Sequence, residues 1–230
     1  MLDRLKEEVY KANITLIQSG LVTLTWGNVS GISRVDNKIV IKPSGVEYET
    51  LTAADMVVVD LKGNVIEGKY RPSSDTPTHV LLYNAFPAIG GIAHTHSTSA
   101  TMFAQACREI PCLGTTHADL FNGPVPITRF LTEDEVNGNY EGNTGKIIVE
   151  RFASLDAASN PGVLVAGHAS FTWGRDASES VKNAIALENI AQMAFGTLQL
   201  NPGVFELPRY IIEKHFKRKH GPDAYYGQKK

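Results

Sequence analysis

Apolar side chains at Leu2, Leu5, Val9, Ala12, Leu16 and Ile17 recur at helical spacing and predict an opening amphipathic helix, with Gly20 placed as its C-terminal cap. Short apolar runs then predict strands over 23–26, 38–42 and 56–60. Gly63-Asn64 separates Val57-Val58-Val59 from Val65-Ile66, the signature of a hairpin. Asp75 followed by Thr76-Pro77 starts a helix that Pro87 ends. A buried strand is expected over 89–94, a helix over 98–107 and a strand over 147–150. Strands over 163–166 and 171–173 bracket His168. Asp176 caps a long helix carrying Val181, Ile185, Ala191, Ala194 and Leu198, and a last helix is expected over 208–219. Helices interspersed with short strands and hairpin signals predict an α/β fold with a mixed sheet.

Composition narrows this picture. The 230 residues are 43% hydrophobic and 20% charged, with a formal net charge of -2. High apolar content at low net charge excludes a disordered chain, and a fold of this length removes about 70% of the unfolded surface from water. No linker, repeat or low-complexity tract interrupts the sequence, so one domain over 1–230 is expected. No apolar run of about 18 residues exists, so no membrane span is expected. Met1 to Glu8 carry no apolar secretory core, and Cys107 and Cys112 cannot make a disulfide scaffold; reduced thiols in a cytoplasmic protein are expected. Near-neutral charge argues against nucleic acid as a partner. The charged fraction lies below the usual value of about 25%, a pointer toward surface covered by other subunits.

Three features carry candidate chemistry. His94-Thr95-His96 closes the apolar run Ile89-Gly90-Gly91-Ile92-Ala93. Residues i and i+2 of a strand project to one face, so two imidazoles there can chelate one cation. His168 closes a second apolar run, and three imidazoles with an open position describe a catalytic site for zinc or a similar metal; the competing interpretation is an accidental surface pair. In Arg71-Pro72-Ser73-Ser74-Asp75-Thr76-Pro77-Thr78-His79, Asp75 can be an ordinary cap or face a metal, and the two serines precede a helix N-terminus that favours an anion such as phosphate. Trp26-Gly27-Asn28-Val29-Ser30 and Ile41-Lys42-Pro43-Ser44-Gly45 leave strands into turns whose backbone N–H groups can approach a phosphate. Neither is a nucleotide-binding fingerprint, and turn formation alone explains each. Gly114 to Asp119 reads as a polar loop, and the basic run Lys214 to His220 as a solvated helix face. The adjacent Tyr225 and Tyr226 are unusual in a polar tail.

Taken together, Thr25-Trp26-Gly27-Asn28, Lys42-Pro43-Ser44-Gly45, Ser73 to His79, His94-Thr95-His96 and Gly114 to Asp119 resemble the class II aldolase family over nearly the whole chain. Within it, the chain is most similar to epimerases of a phosphorylated ketopentose, active in carbohydrate metabolism such as arabinose catabolism. The resemblance implies a three-layer α/β/α fold with a central mixed, largely antiparallel sheet, assembled as a homotetramer with active sites at subunit interfaces. It implies that His94, His96 and His168 hold a divalent metal such as zinc, with Asp75 as the acidic fourth group. Asn28, Ser44, Gly45, Ser73 and Ser74 would bind the substrate phosphate, with Lys42 nearby. Asp119 and Tyr226 would be an acid/base pair reaching over from a neighbouring subunit, with Thr115, Glu141 and His215 as supporting substrate-binding groups.

Two other functions compete. An aldolase of the same family would release two fragments of a deoxyhexulose phosphate, and such aldolases carry Glu where this chain has Asp75. A non-catalytic interaction domain with an aldolase-like fold has no need of three imidazoles, a carboxylate and a phosphate site together.

Overall fold

A computed structural model describes residues 2–221 and 224–226. The elements in chain order are α1 (Leu2–Gln18), β1 (Gly27–Ser33), β2 (Lys38–Ile41), β3 (Val57–Asp60), β4 (Val65–Glu67), α2 (Thr76–Ala85), β5 (Gly91–Thr95), α3 (Thr98–Gln105), α4 (Thr115–Ala118), α5 (Glu133–Arg151), β6 (Gly162–Leu164), β7 (Ser170–Gly174), α6 (Ala177–Leu200) and α7 (Arg209–His220). The seven strands form one sheet in the order β4-β3-β2-β1-β5-β7-β6. Every ladder in it is antiparallel, and the parallel component is a single bridge between Ile127 and Leu164.

Strand alternation sorts the apolar side chains onto two faces. Ile39, Ile41, Val57, Val59, Ile92 and Trp173 pack with Val80, Leu82 and Tyr83 of α2 and with Ile147 and Ile148 of α5. Val29, Val40, Val58 and Ala93 pack on the opposite face with Val9, Ala12 and Leu16 of α1 and Ala177, Val181 and Ala184 of α6. Helices therefore cover both faces, giving the three-layer α/β/α arrangement. The β3–β4 hairpin turns at Gly63, whose φ of 87° lies in the left-handed region that glycine tolerates.

Three local expectations are corrected. Residues 23–26 are not a strand: Leu24 takes a φ of 55°, Trp26 N–H bonds back to the Thr23 carbonyl, and pairing starts only at Gly27. Residues 147–150 are the last turn of α5, not a strand: they belong to the helical stretch that resumes after Asn139, whose Oδ1 accepts the Gly142 N–H. A Thr132-x-x-Glu135 capping box, readable in the sequence, marks where α5 starts. The segment after Gly114 is not a loop but the short helix α4.

The centre of the sheet sits very close to α6. A Cβ added at Gly91 would fall into the backbone of Asp176 and Ala177, where α6 begins. The contact fixes β5 against the helix that follows β7. Gly91→Ala is expected to destabilise the protein by about 1–3 kcal/mol, because backbone on both sides must move; the urea unfolding midpoint measures it, and an unchanged midpoint would show that α6 can retreat freely.

Candidate metal centre and anion cleft

β5 runs between β1 and β7, in register with both. His94 stands opposite Asn28 on one side and Phe171 on the other. Its ring stacks on Phe171 at 4.2 Å, and its Nδ1 lies 2.9 Å from the Ser170 carbonyl. That carbonyl can only accept, so Nδ1 carries the proton and Nε2 presents a bare lone pair. His96 follows two residues later, and its Nε2 lies 3.2 Å from that of His94. His168 sits in the turn between β6 and β7, with its ring 5.0 Å from His94 and 4.9 Å from His96. One ligand atom from each of the three lies within 4.8 Å of the others.

His96 and His168 are neutral near pH 7. Burial, followed by the neighbouring His94, pushes His96 down to about 4. Burial, with His94 and His96 beside it, does the same to His168. Asp75 completes the set, with Oδ2 at 4.0 Å from His94 Nε2. It starts α2 but makes no side-chain cap; instead its Oδ2 accepts from Asn28 Nδ2 at 2.6 Å. Burial acts to raise the Asp75 carboxyl, and the adjacent His94, His79 and Asn28 outweigh it, holding it below the usual range.

The donor set fits a divalent cation. The three rings each offer a ligand atom within 4.8 Å of the others, His94 Nε2 presents its lone pair with His96 Nε2 3.2 Å away, a carboxylate stands beside them, and His94 has the second hydrogen bond that orients a ligating imidazole. The class II aldolase family that the sequence resembles is metal-dependent, and the His94, His96 and His168 cluster is of the kind that can hold a metal ion.

The cleft over this cluster has a volume of about 590 Å³. Asn28, Lys42, Ser44, Gly45, Ser73, Ser74 and Glu141 line it together with Asp75, His94, His96 and His168. The strand ends and the α2 start converge through the Pro43–Pro72 bridge and the hydrogen bond from Ser73 N–H to the Lys42 carbonyl. Lys42 itself is buried, 4.5 Å over the Tyr48 ring, and donates to the Val46 carbonyl at 2.8 Å. Burial pushes its ammonium down to about 8, with Glu47 opposing.

Trp26 and Tyr140 also line the cleft, and neither was singled out as a site residue from the sequence. Tyr140 owes its place to a break in α5: Asn139 leaves helical geometry at φ -133° and ψ 81°, and its Oδ1 accepts from Gly142 N–H at 3.1 Å. The Asn-Gly and Gly-Asn pairs between Asn137 and Asn143 are the only sequence signal for that break.

The remaining candidates form a second cluster, and none of them lines the cleft of its own chain. Asp119 follows α4 and accepts from His215 Nδ1 at 3.0 Å and from Arg218 Nε at 2.9 Å and Nη2 at 2.6 Å, with Lys219 Nζ at 3.4 Å. Burial acts to raise its carboxyl, but the Arg218 and His215 hydrogen bonds prevail and hold it low. Thr115 begins α4, and its carbonyl accepts the Asp119 N–H. The exposed Tyr226 ring lies 5.0 Å from the Arg218 guanidinium and 4.4 Å from the Lys219 ammonium. The basic run on α7 is thus an Asp119 clasp rather than a free solvated face.

Comparison with known proteins agrees with this geometry. The chain is 54% identical, over 99% of its own length and the whole of each relative, to L-ribulose-5-phosphate 4-epimerase UlaF of Salmonella paratyphi A and of Salmonella typhi. Among solved structures it is similar to an L-fuculose 1-phosphate aldolase at a TM-score of 0.78 and 25% identity, covering 94% of this chain and 95% of that one. An L-fuculose 1-phosphate aldolase from Glaciozyma antarctica PI12 shares the fold at a TM-score of 0.77 and 17% identity, with 96% and 84% covered. Residues 7–195 match the class II aldolase and adducin N-terminal domain, and the chain belongs to that family.

Proposed function

We propose that this chain is a metal-dependent isomerase that interconverts L-ribulose 5-phosphate and D-xylulose 5-phosphate. The observation that carries this reading is the 54% identity, end to end, to relatives named L-ribulose-5-phosphate 4-epimerase. Support comes from a cleft that combines a cation site with small and hydroxyl side chains suited to a phosphate. The cation proposed is zinc, one per chain, held by His94, His96 and His168 with Asp75 beside them. The reading includes one domain over 1–230, a cytoplasmic location and no nucleic-acid or membrane partner.

Inverting C4 requires breaking a carbon–carbon bond, because the C4 hydrogen of a ketopentose phosphate is not acidic. A base removes the C4 hydroxyl proton, the C3–C4 bond breaks, and the products are the enediolate of dihydroxyacetone and glycolaldehyde phosphate. The aldehyde turns about its bond to the phosphate-bearing carbon and is attacked on its other face, and an acid returns the proton to the C4 oxygen. A divalent cation bound by the imidazoles supplies Lewis-acid stabilisation of the oxygen charge that develops. Asn28, Ser44, Gly45, Ser73 and Ser74 are assigned to hold the phosphate, which keeps glycolaldehyde phosphate in place while it turns. Buried Lys42 adds positive charge beneath the Ser44-Gly45 turn. Asp119 and Tyr226 are assigned the two proton transfers, and Thr115, Glu141 and His215 support substrate and acid/base groups.

An assembly follows from these assignments. Asp119, His215 and Tyr226 lie outside the cleft of their own chain, so they act on the cleft of a neighbour in a homotetramer with sites between subunits. Large apolar side chains at Leu200, Phe205 and Tyr210, respectively 90%, 91% and 74% exposed, support a covered surface near α6 and α7. An aldolase that releases its fragments is the second reading, favoured by the fold shared with an L-fuculose 1-phosphate aldolase. A binding module is disfavoured by the retained imidazoles, Asp75 and cleft.

Incubation of the purified protein with zinc and L-ribulose 5-phosphate is expected to yield D-xylulose 5-phosphate; free dihydroxyacetone and glycolaldehyde phosphate would select the aldolase. His96→Asn is expected to weaken divalent-metal binding by more than about 100-fold, beyond the usual cost of an outer-shell change. Chelator competition measures it, and wild-type affinity would remove His96 from the metal site. Tyr226→Phe is expected to lower kcat by about 10²–10⁴-fold with metal content unchanged, since only a proton-transfer group is lost; normal turnover would make the tyrosine ordinary surface.

A further inference from the structure

Of the three imidazoles, only His94 has, among the described residues, a hydrogen bond to a group outside the cluster, from Nδ1 to the Ser170 carbonyl, and its ring stacks on Phe171. His168 Nδ1 is buried without a hydrogen-bond partner among the described residues, and its ring has the longer edge and tilted contacts with Phe171 and Tyr140. The one polar contact of the His96 ring among them is with His94 Nε2, the nitrogen it must share with a cation. With no hydrogen bond to a fixed group, His96 and His168 depend on their backbones for position, and both backbones are tied to the same short helix, α3.

His96 lies two residues before α3 begins at Thr98. At the other end of α3, the Ala104 carbonyl accepts the Gly167 N–H at 2.9 Å, immediately before His168. An eight-residue helix is marginal by itself and needs its first N–H groups satisfied. Ser97, at the N-cap, makes no side-chain cap. The cap comes from α6 instead: Glu188 Oε1 accepts Ser99 N–H at 2.7 Å, and Oε2 accepts Ala100 N–H at 2.9 Å. Both carboxylate oxygens are used on backbone, and the negative charge sits at the positive end of the helix. No basic side chain pairs with Glu188 among the described residues, so nothing competes for it. Glu188 does not line the cleft.

We propose that Glu188 is a positioning residue for the metal centre: by capping α3 it fixes the turn that carries His96 and, through Ala104 and Gly167, the turn that carries His168. The inference rests on the reading of the three imidazoles as a metal site. Losing the cap loosens two ligands at once while leaving His94, which has separate supports, in place.

Cobalt(II) bound to the metal-free full-length protein tests it through its visible absorption and through chelator competition, neither of which needs turnover. Glu188→Ala is expected to lower cobalt affinity by about tenfold and to shift or weaken the absorption band, as outer-shell changes do. Glu188→Gln, which keeps the length but offers one acceptor instead of two, is expected to fall between. Asp60→Ala serves as the control for stability alone, because Asp60 ties the distant β3–β4 turn through Lys62 and Asn64; it is expected to lower the melting temperature without changing cobalt affinity or spectrum. Wild-type affinity and spectrum in Glu188→Ala, even with a lower melting temperature, would overturn the proposal and leave Glu188 a purely structural cap. If Glu188→Ala does not fold, Glu188→Gln decides by the same criterion. Failure of the wild-type protein to bind cobalt would instead overturn the metal reading, and the proposal with it.

Discussion

The approach of the His94 and His96 rings, with their Nε2 atoms 3.2 Å apart, is the contact on which the rest of the site depends. The His94 Nδ1 proton is committed to the Ser170 carbonyl, so its Nε2 carries the lone pair, and the one proton of a neutral His96 decides whether its Nε2 donates to His94 or joins it in facing a cation. Burial holds His96 and His168 neutral near pH 7, the form in which an imidazole ligates a metal. The sheet sets one side of the approach and the start of α3 the other. Antiparallel pairing fixes His94 between Asn28 and Phe171, whereas His96 lies one residue past the end of β5, in the turn that enters α3. The close contact of Gly91 with the start of α6 then keeps β5 from sliding away from the helices behind it.

Charge is organised in two separate places, which whole-chain counting averages away. In the cleft, the acidic side chains of Asp75 and Glu141 and three imidazoles stand near buried Lys42 and the polar turns at Ser44 and Ser73. At the other cluster, the single carboxylate of Asp119 gathers three basic groups from α7 and fixes that helix to α4. The first arrangement suits a ligand that is both chelating and anionic. The second holds an ionised carboxylate among basic groups, outside the cleft of its own chain.

The sequence was most legible where local chemistry and the final fold agree. Strand alternation, the Gly63 hairpin, the Asp176 cap and the His94–His96 spacing each depend on near neighbours, and each appears in the structure where the pattern puts it. Residues 147–150 read as a strand because Ile147, Ile148 and Val149 are apolar and β-branched, yet they close a helical stretch that restarts after Asn139, whose Oδ1 accepts the Gly142 N–H. Tyr140 was invisible for a different reason. Its entry into the cleft requires the break at Asn139, and that break is held by Gly142 and by the Thr78 hydroxyl on the Glu141 carbonyl, from another helix. Glu188 was hidden more completely still, since its partners lie about ninety positions away in sequence.

The helix starts show how function reshapes an otherwise ordinary scaffold. Away from the cleft, α5 and α6 are capped locally by Thr132 and Asp176, each accepting an N–H three residues on. At the cleft, α2 and α3 have suitable capping residues in Asp75 and Ser97, and neither side chain caps. Asp75 turns instead toward Asn28 and His94, while Thr76 N–H donates to the Ser73 carbonyl and Pro77 has no N–H to cap. α3 receives its cap from a distant carboxylate. A local cap is worth about 1 kcal/mol to a helix, a sizeable share of the stability of a marginal fold. Forgoing it at α2 makes sense if the freed carboxylate is needed by something that enters the cleft. Importing it at α3 makes sense if the turn before that helix has to be held more rigidly than a local serine can hold it. Both departures occur beside the same three imidazoles, which ties the irregularities of the fold to one chemical demand.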